Sequence, residues 1–165
     1  MERCFVKGAF YQDMIHSGLN AYLTLHVAQV LLRAGDPRFL ELVDAVARLA
    51  SATGQWPEAI HPATEGGCMG DGHHVWASSE WVLMVRNCFV REEGNRLILC
   101  AGLPPRWLEQ EKPIRFGPAP TSFGTLSITV QPRPGQEPEV SWEADWHDKE
   151  PEIEVRLPAE KTSGQ

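Results

Sequence analysis

The chain of 165 residues has no basic surplus: 15 Lys and Arg stand against 22 Asp and Glu, a net charge of −7. A nucleic-acid binder needs a positive face to neutralise phosphates, and a polybasic membrane anchor needs the same residues, so neither partner is expected. No apolar run approaches the roughly 18 residues that cross a bilayer. The start, Met1-Glu-Arg-Cys-Phe-Val-Lys-Gly, has no uninterrupted apolar stretch of the secretory kind, and a cytoplasmic chain is the expectation. The four cysteines (Cys4, Cys68, Cys88 and Cys100) form no CxxC pair, which points to reduced thiols. Ser78, Ser79 and Cys68 lack the surroundings of a nucleophile, and Gly70-Asp71-Gly72-His73 lacks the Lys-Ser/Thr of a phosphate loop. His61, Cys68, Asp71, His73 and His74 lack zinc spacing, because adjacent histidines do not easily converge on one ion. No metal and no cofactor are expected, and no internal repeat is evident.

What is present is ordinary globular material: 42% hydrophobic and 22% charged residues. At this length about 70% of the unfolded surface can be buried, enough for one domain or one with an appendage.

The chain reads as two halves. Leu19, Tyr22, Leu23, His26, Val27, Val30 and Leu31 recur at helical spacing and predict a buried stripe. Gly35 suits the left-handed position after that helix; Asp36 and Pro37 suit the start of the next, with Leu40, Val43, Val46, Ala47 and Ala50 inward. So short a turn implies an antiparallel helical hairpin. A third helix is expected over 75–90, with Trp76, Trp81, Leu83, Met84 and Phe89. After that come short strands at 96–100, 125–130, 139–146 and 152–157, three of them alternating with period two. Trp142 and Trp146 fall on one strand face and are expected to pack a sheet core. Pro and Gly clusters at 102–105, 117–120 and 132–138 read as turns. The expected fold is α+β: N-terminal antiparallel helices over 1–92, a small antiparallel β-sheet over 93–158, and a frayed tail over 159–165.

Residues 54–74, between the second and third helices, are too long and too glycine-rich for a plain connection. Tryptophan, carboxylate and histidine concentrate there, a composition that suits a polar small-molecule site. A tight loop with tryptophans packing its base is the competing interpretation.

The order of residues favours a site. Trp56-Pro57-Glu58, then His61-Pro62, Gly66-Gly67 and Gly70-Asp71-Gly72-His73-His74-Val75-Trp76-Ala77 before an apolar helix resembles the last hairpin of (α/α)6-barrel glycoside hydrolases, of the glucosidase, trehalase and glycogen-debranching kind. The specific part of the resemblance is residues 56–81. It sets Glu58 on that family's Glu, His61-Pro62 on an Asn-Pro, Thr64 and Gly66 on a Thr-Gly, and Trp76-Ala77 on the Trp that opens the final helix. His61 departs from the commoner Asn, and residues 70–74 are richer than the usual lead-in. The resemblance implies a partial α/α toroid, with Glu58 as general base of an inverting hydrolysis. It also implies an oligosaccharide ligand lined by Trp56, His61, Asp71, His73, His74, Trp76 and Glu80.

Inversion needs a second carboxyl, a general acid roughly 6.5–9.5 Å away. Asp71 stands just before a helix, where the dipole favours its ionised form and argues against proton donation. Glu80, four residues after Trp76, can face a site or solvent. A whole toroid of twelve helices at about 12 residues each, with the loops that join them, exceeds this chain. The expectation is therefore a carbohydrate-related module, inactive alone for want of the acid and completed by a missing barrel portion. The alternative is a non-enzymatic sugar-binding or oligomerisation domain, its leftover apolar faces covered by a second copy.

Overall fold

The computed structural model describes residues 4–14, 17–70, 72–133 and 135–158; the tail 159–165 and His16 lie outside them. The chain divides into two compact units, Met1–Val85 and Arg86–Gln165.

The first unit is not a piece of a helical toroid. Five short strands form one sheet in the order β1 (Phe5–Val6), β2 (Ala9–Gln12), β3 (Gly18–Leu19), β4 (Ala59–Ile60) and β5 (Gly67–Met69). Lys7 and Gly8, both at positive φ, make the two-residue turn that returns β1 onto β2. Gly18 lets β3 lie close to β4: a Cβ there would stand 2.9 Å from the Ile60 carbonyl oxygen. Strands of two to four residues carry no readable period, which is why the sequence pattern shows only helices here.

The helical hairpin itself is present. α1 (Ala21–Arg33) ends at Ala34, Gly35 follows at φ 70, and α2 (Phe39–Arg48) packs against α1. Asp36 caps the turn ahead of α2: its carboxylate accepts from the Arg38 backbone N–H at 3.0 Å. The inward stripes differ from the expected ones. α1 buries Ala21, Tyr22, Thr24, Leu25, Ala28, Leu31 and Leu32, whereas Val30 is 65% exposed. α2 buries Phe39, Leu42, Ala45 and Val46. Thr24 can turn inward because its hydroxyl bonds the Asn20 carbonyl at 2.6 Å and accepts the Phe10 N–H at 2.9 Å.

Asn20 joins these pieces. Only 1% exposed, it caps α1 by accepting from Leu23 N–H at 3.0 Å. Its side-chain amide donates to Gln12 Oε1 at 3.2 Å and to the Glu58 carbonyl at 3.3 Å, while its backbone N–H donates to Phe10 O at 2.9 Å.

α3 (Val75–Phe89) begins in the first unit and ends in the second. The second unit then adds β6 (Val90–Glu93), β7 (Arg96–Leu99), a short helix α4 (Pro105–Leu108), β8 (Ile114–Thr121), β9 (Gly124–Gln131), β10 (Glu139–Trp146) and β11 (Glu152–Val155). These form two three-stranded sheets, β10-β9-β8 and β11-β7-β6. The first is antiparallel. The second is mixed, because β11 runs parallel to β7, so the expected purely antiparallel tail is also corrected. β8 occupies the Gly117–Pro120 region that reads as a turn. An edge strand tolerates prolines, and its register slips between Phe116 and Ala119.

Central β7 buries Leu97, Ile98 and Leu99 completely, without alternation. In β9 Leu126, Ile128 and Val130 point inward while their neighbours face out. Each such aliphatic side chain contributes about 1.5–3 kcal/mol of burial. Phe89 stacks on Phe116 with ring centroids 4.5 Å apart. Arg86 holds the β8 end through Pro120 O at 2.9 Å and Glu92 at 2.8 Å. Burial works to raise the Glu92 pKa, but the Ser122 hydroxyl and Arg86 outweigh it and the net shift is downward.

Burial pushes the Cys88 and Cys100 thiols up to about 12, whereas Cys4 and Cys68 are exposed. A thiol reagent at neutral pH should label only the exposed pair, and all four cysteines in denaturant. Because the folded state holds the buried thiols neutral, their stabilising contribution should be intact below pH 9 and decline as pH rises towards 12, readable by urea unfolding. Separately, Asn20→Ala should cost about 1–3 kcal/mol of unfolding free energy from a lost cap and two lost side-chain bonds. Asn20→Asp should also destabilise: it keeps the cap but sets a carboxylate against the Glu58 carbonyl. If Asp is fully tolerated, Asn20 is only a helix cap.

Candidate functional site

The 54–74 segment is built from the inside outward. Trp56 is 3% exposed; its indole N–H donates to the Val46 carbonyl at 2.8 Å, and its ring lies 5.3 Å from Trp81. It supports the segment from beneath. Its carbonyl accepts the His74 N–H at 2.9 Å, which fixes where α3 begins.

His61 is exposed and closes a turn. Its Nδ1 accepts from Ala63 and Thr64 N–H at 3.2 and 3.3 Å, and its backbone bonds Gly66 and Glu65. His73 is exposed, with Nε2 3.3 Å from the Gln55 side-chain nitrogen. Asp71 lies outside the described residues.

Glu58 immediately precedes β4. Its backbone is pinned by Asn20, and Gly70, at φ 78, passes so close that a Cβ there would stand 3.2 Å from Glu58 Cβ. The Glu58 side chain is half-buried and has no ion-pair partner among the described residues. The carboxylate is neither tied off nor fully in solvent.

The remaining predicted residues converge. Trp76, the second residue of α3, is 51% exposed and stacks on Tyr22 of α1, with centroids 4.4 Å apart and planes at 21°. One turn further along α3, Glu80 Oε1 lies 3.1 Å from Nε2 of His26, which is itself one turn beyond Tyr22. Two i, i+4 pairs on facing helices thus meet, because residues four apart share a helix face. The His74 ring lies 5.0 Å from Tyr22 and 6.4 Å from Trp76. Its Nδ1 is buried, with no hydrogen-bond partner among the described residues.

His74, Trp76 and Glu80 therefore form one cluster. Among the described residues the Trp56 ring meets Trp81 instead, and the His61 ring nitrogen is taken up by its own turn. The cluster includes Tyr22 and His26, which read in the sequence as part of a buried stripe. Their i, i+4 spacing sets them on one helix face, but which helix that face meets has no local signal.

Chemically the cluster offers an aromatic face with a carboxylate, an imidazole and a lone buried ring nitrogen at its margin. Among the described residues no group of three or more His, Cys, Asp or Glu can hold a metal ion. No helix among them is long and apolar enough to cross a membrane. No family model, curated protein or solved structure matches the chain.

Proposed function

We propose that the first unit is a carbohydrate-related module that takes an oligosaccharide on the Trp76 face and resembles the C-terminal part of an inverting glycoside hydrolase. The single observation that supports this most is the exposed Trp76 indole, backed by Tyr22 and bordered by the His26–Glu80 pair and His74. A sugar ring presents an apolar face of C–H groups to an indole and hydroxyls at its rim, where a carboxylate and imidazoles accept and donate.

In this reading Glu58 is the residue of the general base, with no identified acid opposite it, so the chain binds without turnover. The free thiols accord with a reducing, cytoplasmic location.

Titration of the intact protein with malto-oligosaccharides, followed by tryptophan fluorescence and calorimetry, tests the reading. Saturable binding should weaken about tenfold in Trp76→Ala, as expected from losing one stacking contact. Glu58→Gln should leave binding largely unchanged. Hydrolysis of an aryl glucoside that vanishes in Glu58→Gln would instead show a complete enzyme, and no binding of any glucan would remove the carbohydrate reading.

A second reading has its own observation. Val75, Val82 and Leu83 on α3 are 75%, 67% and 42% exposed, apolar positions near Trp76 that Ser79 interrupts. A second copy covering those positions would make the unit an assembly domain. Sedimentation across a concentration series, with Val82→Lys as the disrupting variant, separates this from sugar binding.

A further inference from the structure

The β10-β9-β8 sheet has two unlike edges. β8 carries Pro118 and Pro120, which donate no backbone N–H, and its register slips, so that edge cannot template another strand. β10 is the opposite edge: eight residues without proline, paired with β9 rung for rung from Glu139↔Gln131 to Trp146↔Gly124. About half of its backbone N–H and C=O groups therefore point away from the sheet.

The two faces of β10 differ in chemistry. On one, Val140, Trp142, Ala144 and Trp146 stand opposite Val130, Ile128, Leu126 and Gly124. The β9 members are buried, yet Trp142 and Ala144 are exposed, Trp142 at 37%. The face expected to pack a core is left uncovered at the edge strand, which has a neighbour on one side alone. On the other face stand Glu139, Glu143 and Asp145. Glu139 pairs with Arg133, whereas Glu143 and Asp145 have no ion-pair partner among the described residues.

The acidic character continues past Trp146. Residues 137–154 hold eight carboxylates against Lys149 alone, so this stretch equals the whole chain's formal charge of −7. Its turn, from His147 to Glu152, lines a cleft of about 330 Å³ with Asn95, Ser122 and Phe123.

We propose that β10 is a docking edge for an extended segment of another protein in which apolar residues alternate with Lys or Arg. Laid beside β10, such a segment continues the sheet through the outward N–H and C=O groups. Its apolar side chains cover Trp142 and Trp146, and its cations face Glu143 and Asp145. A second copy of the chain is the wrong occupant. Two β10 strands paired about a twofold axis keep their faces aligned, which sets carboxylates beside carboxylates. The proposal concerns the second unit alone and does not depend on sugar binding.

Fluorescence anisotropy of a labelled eight-residue peptide of alternating Lys and Val, titrated with the intact protein, tests it. A Glu/Val peptide and octalysine serve as comparisons. The Lys/Val peptide should bind at least about tenfold more tightly than either, and Glu143→Gln with Asp145→Asn should weaken it by about tenfold. Amide exchange of the wild-type protein should slow in β10 when the peptide is present, a readout that needs no variant to fold. Absent binding, octalysine binding equally well, unchanged affinity in the neutralised variant or unprotected β10 amides would each overturn the proposal. So would a concentration-dependent dimer that the peptide disrupts, since β10 would then be an interface between copies.

Discussion

Asn20 is the constraint on which the first unit depends. A buried amide has four hydrogen-bonding positions, and an unmet one costs about 1–3 kcal/mol, so its placement is dictated by its partners. Here the oxygen serves α1 and the nitrogen serves β2 and the segment before β4. Elements separated by nearly forty residues are thereby held to one point. The sheet that results is built from strands too short to be stable as isolated pairs; the inner three are held by a neighbour on either side. Glu58 inherits its position from this arrangement, since the atom that Asn20 grips is the carbonyl of Glu58 itself.

A different solution orders the second unit. Its sheets rest on apolar burial along β7 and β9, and backbone clearance decides where the strands meet. Gly124 sits at φ 145 against the Asp145 carbonyl oxygen, with a Cβ position only 2.7 Å from Trp146 Cα. No other residue type fits that crossing without moving β10. Gly102 is similarly closed in by Cys88, whose Cα would lie 2.6 Å from an added Cβ. These close approaches explain why Cys88 is deeply buried and why its thiol resists ionisation.

The sequence made some of this legible and hid the rest for physical reasons. The end of α1 could be read because Gly35 has a conformational role that its residue type announces, whereas the cap at its start, Asn20, was not singled out. The inward face of α1 was misread by about one position, because Thr24 and the small Ala21 and Ala28 go inside while Val30 does not. A hydrophobicity pattern cannot foresee that a threonine will be satisfied by Phe10 and Asn20. The alternation in β9, β10 and β11 was visible, but the parallel pairing of β11 with β7 is a long-range fact with no local signature. In the candidate site His74, Trp76 and Glu80 were candidates because they follow one another in the chain. Tyr22 and His26 were not, because only the facing of α1 and α3 brings them there.

The same contrast bears on how the candidate site is read. Asn20 and Thr24 show that this fold satisfies buried polar atoms even where two or three partners must be recruited. The Nδ1 of His74, like Arg91 Nη1, has no hydrogen-bond partner among the described residues. The ring is set by its backbone bond to Trp56 and by contact with Tyr22 and Trp76, so it cannot swing to find a partner without disturbing the stack. The indole beside it keeps half its surface in water, so the stacked Trp76 face, and not the buried nitrogen, is the part of the cluster that a solute can reach.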